Sequence, residues 1–150
     1  MDSALRDRLD IEDLLYRYAR AVDTGDWDGY VGVFTEDAVL DYSSAGYPPG
    51  DRHQMAALFG ASLSVLTMTQ HFVTNVQVEL DGDRAEVTAK FVNPMQVPGL
   101  DGLSICGGNY HHTVVRTPDG WRSERLVEEN LWFVNRPPRP ASTAGVVSRS

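Results

Sequence analysis

The sequence predicts an α+β fold in which three N-terminal helices pack in the concave face of a curved, mostly antiparallel sheet, forming a cone-shaped α+β barrel. Two patterns support this prediction. Apolar residues recur at three- and four-residue steps in most of the chain up to Leu66, whereas from Thr69 onward they alternate with a period of two. Because helices precede strands without βαβ alternation, the sheet is expected to wrap one face around the helices.

The first helix is predicted over Leu5–Val22, where the apolar residues follow the helical period. It should end at Thr24-Gly25, since glycine is favoured just past a helix end. Asp26 is then a suitable N-cap for a short second helix over Trp27–Phe34. Asp23 consequently lies at the rim of a helical hairpin.

A turn at residues 35–37 separates the second helix from a short strand, Ala38–Tyr42. The next segment contains Gly-Tyr-Pro-Pro-Gly and is predicted to be a loop, because glycine and proline interrupt regular structure. A third helix follows from about Arg52 to Leu66, with Asp51 as its N-cap.

Four long strands are predicted in the second half of the chain: His71–Leu80, Ala85–Gln96, Leu103–Thr117 and Trp121–Val134. Turns at residues 81–83 and 118–120 join the first pair and the last pair. Gly107-Gly108, in the middle of a strand, predicts a bulge or a sharp curve. A sheet curved in this way leaves a cavity at the open end of the cone.

One domain accounts for nearly the whole chain. With 150 residues, of which 42% are hydrophobic, the protein can bury a sizeable core but has no room for a second domain. We assign residues 1–135 to the cone domain. Residues 136–150 form a Pro-rich tail, which we expect to be either disordered or a lid over the pocket.

Charge and composition limit the expected partners and compartment. The net charge is −8, from 13 basic and 21 acidic residues without a Lys/Arg cluster, so neither nucleic acid nor a membrane surface is an expected partner. The sequence lacks an apolar run long enough to span a membrane and the apolar stretch of a signal peptide, which favours a cytoplasmic protein. The single cysteine, Cys106, is expected to contribute packing rather than chemistry.

Asp23 and His71 are the strongest candidates for chemistry. Asp23 ends the first helix and His71 opens a strand, so the two could meet at one end of the cone. Histidine titrates near about pH 6.5 and needs only orientation to act as a general base. A carboxylate that accepts a hydrogen bond from one ring nitrogen fixes the tautomer and raises the basicity of the other nitrogen. The alternative is that His71 has a purely structural role, and a contact with Asp23 would argue against that alternative.

Two tyrosines and two further histidines are candidates for the same pocket. Tyr18, near the end of the first helix, and Tyr42, at the end of the first strand, could polarise a carbonyl, and core packing is the alternative for both. His111 and His112 are adjacent on a strand and face opposite sides of the sheet, so one of them at most should enter the pocket. Adjacent strand residues do not chelate, and we predict no metal site.

The pattern resembles the nuclear-transport-factor-2-like, or SnoaL-like, superfamily over about Leu5–Phe133. Asp23, before an Asp-Trp-Asp turn, and His71, in Thr-Gln-His-Phe, carry the resemblance. Within the superfamily the chain is similar to scytalone dehydratase, bile-acid 7α-dehydratase and hexachlorocyclohexane dehydrochlorinase, which eliminate a leaving group without a cofactor. The resemblance implies that His71, Asp23 and Tyr18 are catalytic, that Tyr42 binds substrate and that no cofactor is needed.

Two departures from these enzymes concern the later strands. Leu126 stands where the dehydrochlorinase has an arginine, with Arg125 one residue away, and Asn93 or Pro94 stands where scytalone dehydratase has its second histidine. The likeness is therefore strongest at the Asp–His pair. Further substrate contacts are expected from a set of side chains on the third helix and the strands: Tyr110, His112, Asn130, Met55 and Phe72.

Together these features predict a cofactor-independent lyase, most simply a dehydratase, acting on a hydrophobic ring-containing hydroxy-ketone, steroid-like or polyketide substrate. Isomerases and cyclases of the same fold begin with the same proton abstraction and are alternatives. A non-catalytic binding or scaffolding module, such as an oxygenase small subunit, is the alternative from another class. A homo-oligomer, dimer or trimer, is expected because the outer face of a curved sheet is usually covered.

Overall fold

The structure is a computed structural model that describes residues 2–138. Helix α1 spans Ser3–Thr24 and begins where the Asp2 carboxylate accepts a hydrogen bond from the backbone N–H of Ala4, at 3.3 Å. It ends at Gly25, whose φ of 68° is left-handed and suits glycine. One face of α1 is buried from Ile11 to Val22, and Asp23 lies at the helix end, as the sequence predicts.

Helix α2, Trp27–Val31, is shorter than its predicted span to Phe34. Asp26 caps it by accepting from the backbone N–H of Gly29 at 2.9 Å. The helix stops early because strand β1, Phe34–Asp41, begins four residues before the predicted Ala38 and pairs in parallel with the last strand. Tertiary pairing therefore overrides the local helical pattern at this boundary.

A short 3-10 helix, Ser43–Ala45, follows β1 and leads to helix α3, Arg52–Leu63. Asp51 and Gln54 form a reciprocal capping box at the start of α3. The helix ends three residues before the predicted Leu66, where the chain turns towards the sheet.

The remaining strands lie within a few residues of their predicted bounds, apart from an added two-residue strand: β2 Met68–Thr69, β3 Phe72–Asp81, β4 Arg84–Gln96, β5 Ser104–Thr117 and β6 Gly120–Val134. The sheet order is β1-β6-β5-β4-β2, and β3 also pairs with β4. All pairs are antiparallel except β1 with β6. The helices pack against a strongly curled mixed sheet, which confirms the predicted α+β cone.

Register shifts in β6 bend the sheet and change which residues face inward. Between Thr113 and Val114 of β5 the partner in β6 moves from Arg125 to Ser123, so Glu124 is an extra residue. A second shift lies at Gly107-Gly108, as the sequence predicts. There the backbones approach so closely that a Cβ on Gly108 would overlap the carbonyl of Glu129.

The core fills the space between the helices and the concave face of the sheet. Side chains from α1 and the inner strand positions are almost fully buried: Ile11, Leu14, Leu15, Val87, Ala89, Val114 and Leu126. Arg116 of β5 pairs with Asp7 of α1 at 2.8 Å and with Asp83 at 2.8 Å, which ties the far end of α1 to the sheet. Among the described residues, no helix has the length and apolar character needed to cross a membrane.

His112 lies in this core and does not line the apolar cavity between the helices and the sheet, contrary to its predicted role in substrate binding. It is 2% exposed, and its Nδ1 is 2.9 Å from the hydroxyl of Ser123. Since Ser123 donates its own proton to the carbonyl of Arg125, the imidazole donates from Nδ1. Burial, with a smaller effect of His111, lowers the pKa of His112 from 6.5 to about 3.

The buried His112 makes stability depend on pH. The unfolded chain binds a proton at His112 below about pH 6.5 while the folded chain stays neutral until about pH 3. Stability is therefore fully present above pH 6.5 and falls as pH falls, by up to about 1.4 kcal/mol per pH unit. Urea unfolding at about pH 7 and about pH 5 should show a smaller loss for His112→Gln than for the wild type.

The exposed His53 supplies the control, because His53→Gln should leave the pH dependence of unfolding unchanged. Equal losses of stability in the wild type and in His112→Gln would contradict this role of His112.

Candidate active site

A cavity of about 150 Å³, here called the chamber, lies between the helices and the concave face of the sheet. Aromatic and aliphatic side chains form most of its wall: Val22, Phe59, Leu63, Phe91, Met95 and Phe133. Polar groups interrupt the wall at a few positions: Tyr18, Tyr42, His71, Asn93, Glu128 and Asn130. An apolar enclosure with a few polar groups is the usual form of a small-molecule site.

Asp23 and His71 are in direct contact at the edge of this chamber. The Asp23 Oδ1 atom lies 2.6 Å from Nδ1 of the His71 ring, and Oδ2 accepts from the backbone N–H of His71 at 2.8 Å. Both side chains are mostly buried, with 10% of His71 and 19% of Asp23 exposed. One carboxylate therefore fixes both the main chain and the ring of the histidine.

His71 occupies a break between two strands that pair with the same edge of β4. Strand β2 ends at Thr69 and β3 begins at Phe72, so the backbone of His71 is free of the ladder. The side-chain amide of Asn93 on β4 bridges the break, donating to Thr69 Oγ1 at 2.9 Å and to the carbonyl of Gln70 at 3.1 Å. The break turns the imidazole towards α1, where Asp23 holds it.

The contact with Asp23 decides which nitrogen of His71 is available to a ligand. An ionised carboxylate only accepts hydrogen bonds, so Nδ1 carries the proton that points at Asp23. Nε2, on the far side of the ring, then keeps its lone pair, and it has no hydrogen-bond partner within residues 2–138. An imidazole oriented in this way can take a proton from a ligand in the chamber.

Three tyrosines form a chain of hydroxyl groups that ends at the chamber. The Tyr42 hydroxyl lies 2.9 Å from that of Tyr18 and 3.0 Å from that of Tyr30. Tyr18 and Tyr42 line the chamber, whereas Tyr30 is buried behind them. Burial raises the pKa of all three phenols, so each remains protonated. If Tyr30 donates to Tyr42 and Tyr42 to Tyr18, the Tyr18 proton is free for a ligand.

Three other predicted contacts with substrate do not reach the chamber. Met55 is 1% exposed and packs in the core beneath α3. Phe72, the first residue of β3, is 52% exposed and does not line the chamber. Tyr110 is buried behind the chamber and stacks on Phe91 with ring centroids 4.5 Å apart. Asn130, in contrast, lines the chamber.

Glu128 is a chamber residue that the sequence reasoning missed. It lies on β6, where Asn130 Nδ2 donates to its Oε1 at 3.1 Å. Burial in the apolar wall raises the pKa of Glu128 to about 7. If inward-facing residues are counted at alternate positions from Trp121, Glu128 is predicted to face outward. The extra residue Glu124 shifts this alternation by one position, so Glu128 faces the chamber instead. In the sequence, the adjacent acidic pair is the signal that one of the two carboxylates faces inward.

Cys106 also lines the chamber, and its environment makes it a poor nucleophile. Burial raises the pKa of the thiol to about 11, so it is protonated at neutral pH. No group of three or more His, Cys, Asp or Glu side chains with the arrangement of a metal site occurs among residues 2–138.

The model of the SnoaL-like domain matches residues 3–127 of the chain. The chain belongs to the SnoaL-like domain family. This confirms the superfamily expected from the Asp-Trp-Asp and Thr-Gln-His-Phe motifs. Among its relatives, Rv2910c of Mycobacterium tuberculosis is 36% identical over 125 residues, which cover 83% of this chain and 85% of the relative. Terrestric acid biosynthesis cluster protein E of Penicillium crustosum is 31% identical over 139 residues, 86% of each chain.

Solved structures show the same architecture. Kfla4162 of Kribbella flavida has a TM-score of 0.82 and 28% identity, covering 89% of this chain and 96% of its own. A scytalone dehydratase-like protein of Novosphingobium aromaticivorans has a TM-score of 0.82 and 18% identity over 96% and 99% of the two chains. The hexachlorocyclohexane dehydrochlorinase LinA-type3 of Novosphingobium barchaimii has a TM-score of 0.76 and 16% identity over 87% and 90%. At these identities the last two show a shared fold.

The geometry of Asp23 predicts the effect of Asp23→Asn on the tautomer of His71. The backbone N–H and the ring N–H of His71 are both donors, and an amide has one acceptor oxygen where the carboxylate has two. We expect the oxygen of the substituted amide to keep the backbone hydrogen bond and its NH₂ group to face Nδ1, which moves the ring proton to Nε2. Nitrogen-15 NMR of the imidazole distinguishes the two tautomers.

Asp28→Asn is the matched control, because Asp28 is exposed and lies on α2 away from His71. A wild-type tautomer in Asp23→Asn would show that Asp23 does not set the ring's protonation.

Proposed function

We propose that the protein is a cofactor-independent lyase, most simply a dehydratase, that eliminates water from a hydroxy-ketone. The observation that carries the proposal is the contact of 2.6 Å between Asp23 and His71 at the wall of an apolar chamber. It gives the chamber one oriented base. The tyrosine chain that ends at Tyr18 adds a neutral hydrogen-bond donor.

In the proposed reaction, Nε2 of His71 removes a proton from the carbon next to the substrate carbonyl. Charge then develops on the carbonyl oxygen, and the Tyr18 hydroxyl donates a hydrogen bond to it. Asp23 stabilises the imidazolium that forms, because its carboxylate accepts from Nδ1. The carbon–oxygen bond of the β-hydroxyl breaks next, and the hydroxyl leaves as water after it gains a proton. The product is an enone.

The size and charge of the chamber favour a small neutral substrate. A cavity of about 150 Å³ has the volume of an engineered cavity that binds benzene, so it fits a single ring more readily than a steroid. None of the described residues that line the chamber is Lys or Arg, which leaves an anionic substrate without a counter-charge. We therefore propose a single-ring β-hydroxy-ketone.

Family membership supports small-molecule chemistry. The Penicillium relative at 31% identity is named for a biosynthesis cluster of terrestric acid, and the matched family model covers both Asp23 and His71. Proton abstraction at a carbon next to a carbonyl also begins isomerisation and ring closure. The products identified by mass spectrometry and NMR decide between these outcomes and elimination.

His71→Ala tests the base directly. With a panel of single-ring β-hydroxy-ketones that begins with 3-hydroxycyclohexanone, we expect the wild type to form the enone, which is followed by its ultraviolet absorbance. Loss of the base should lower kcat by about 10²- to 10⁴-fold. His111→Ala is the control, because His111 lies on the outer face of the sheet and pairs with Glu129. Equal turnover by His71→Ala and the wild type would refute the proposal.

The tyrosine chain predicts a graded series of defects. Tyr18→Phe removes the donor at the substrate and should lower kcat by about 10²- to 10³-fold, as loss of an oxyanion donor does. Tyr30→Phe removes the remote end of the chain and should cost less than Tyr18→Phe, since it only weakens the donors ahead of it. Tyr16→Phe, on the exposed face of α1, is the control. An effect of Tyr30→Phe larger than that of Tyr18→Phe would contradict this order.

A further inference from the structure

Glu128 is a partly buried carboxyl group that the steps above do not use. It lies on β6 and forms part of the chamber wall, whereas its neighbour Glu129 points to the outer face and pairs with His111. A carboxyl group placed in an apolar wall is costly when ionised, because the charge loses its hydration. A position of this kind calls for a role that a hydrophobic residue could not fill.

The surroundings of the Glu128 carboxyl group offer it a hydrogen bond from Asn130 and a set of neutral side chains. Tyr18, Tyr42 and Cys106 line the chamber with Glu128, and burial keeps all three protonated at neutral pH. Tyr30 and Tyr110, behind the wall, are also protonated, and His71 is the other titratable side chain discussed above that lines the chamber. Among the described residues, the chamber wall contains no Lys or Arg that could hold the carboxylate in its ionised form. With a pKa of about 7, a large fraction of Glu128 carries a proton at neutral pH.

Asn130 decides where that proton lies. Its Nδ2 group donates to Oε1 of Glu128 at 3.1 Å, so Oε1 acts as an acceptor. The acidic proton is then carried by Oε2, the oxygen that remains for a ligand. Asn130 thus positions the carboxyl group as a donor.

Glu128 and His71 approach the chamber from different parts of the sheet. Glu128 is on β6, and His71 precedes β3, which is separated from β6 by β4 and β5. Three strand spacings correspond to about 14 Å along the sheet, and the curl of the sheet shortens the direct path across the chamber. A ring bound between these walls can meet a base on one side and an acid on the other.

We propose that Glu128 is the acid that protonates the leaving hydroxyl group of the substrate. This rests on the proposed function. Nε2 of His71 takes the proton from the α-carbon, and that C–H electron pair is delocalised onto the carbonyl oxygen in the enolate. When the enolate collapses, the pair forms the new C=C bond. The bond between the β-carbon and the hydroxyl oxygen breaks, and the oxygen takes the Oε2 proton of Glu128 and leaves as water. The imidazolium proton then passes through water to the Glu128 carboxylate, which restores both groups.

The protonation of Glu128 can be measured without a substrate. Carbon-13 NMR of labelled glutamate side chains between about pH 5 and about pH 9 should show one carboxyl that titrates near pH 7. That signal should be absent in Glu128→Gln and present in Glu129→Gln, the matched control on the opposite face of the same strand. A Glu128 carboxyl that titrates near the ordinary value of about 4.3 would overturn the proposal, because it would be ionised at neutral pH.

The rate of elimination supplies the second measurement, with 3-hydroxycyclohexanone as the probe. The wild-type kcat/KM should fall as pH rises through about 7, since ionised Glu128 has no proton to give. Glu128→Gln keeps a hydrogen-bond donor but cannot transfer a proton, so its kcat should fall by about 10²- to 10⁴-fold and the alkaline limb should disappear. Glu129→Gln should behave as the wild type.

The outcomes separate this proposal from the proposed function. If Glu128→Gln keeps the wild-type rate and alkaline limb while His71→Ala is inactive, the acid role is wrong and the dyad stands. If the wild type and His71→Ala form no enone from any member of the panel, the proposed function fails, and the role of Glu128 in elimination fails with it, whatever its titration.

Discussion

The two hydrogen bonds from His71 to Asp23 are the interaction on which the site depends. One joins the end of α1 to the backbone between β2 and β3, and the other fixes the imidazole. The helix end, the break in the strand and the ring are therefore positioned by a single carboxylate. Asparagine, the neutral isostere of Asp23, has one acceptor oxygen where the carboxylate has two, so it cannot keep both bonds. A change that breaks these hydrogen bonds therefore alters both the geometry of the site and the packing of α1 on the sheet.

The apolar wall controls the charge inside the chamber. Burial raises the pKa of Tyr18, Tyr42, Cys106 and Glu128, so each of these groups favours its neutral form. The chamber consequently presents hydrogen-bond donors and few fixed charges. An ionised group is tolerated only at its edge, where Asp23 is held by two hydrogen bonds and retains contact with solvent. A neutral interior beside one carboxylate suits reactions in which charge appears on the substrate during the reaction.

The sequence predicts the fold and the Asp23–His71 pair well because both depend on local patterns. Helical periodicity, strand alternation and caps locate every long element, and the ends of α1 and β3 bring the pair together. The predicted boundary between α2 and β1 was wrong because pairing with β6 extends β1. Met55, Phe72 and His112 were misplaced because residue type does not reveal which side of a wall a side chain faces. Glu128 was missed because the bulge at Glu124 reverses which alternate residues of β6 face the chamber.

The bulge at Glu124 has a consequence for how members of this family diverge. Glu128 and Glu129 are adjacent and chemically identical. The apolar chamber wall raises the pKa of Glu128, whereas a hydrogen bond to His111 lowers the pKa of Glu129 on the outer face. A one-residue deletion in this part of β6 would exchange their positions without altering either side chain. Changes in strand length, as much as substitutions, are therefore a route by which evolution can give one cone-shaped scaffold different reactions.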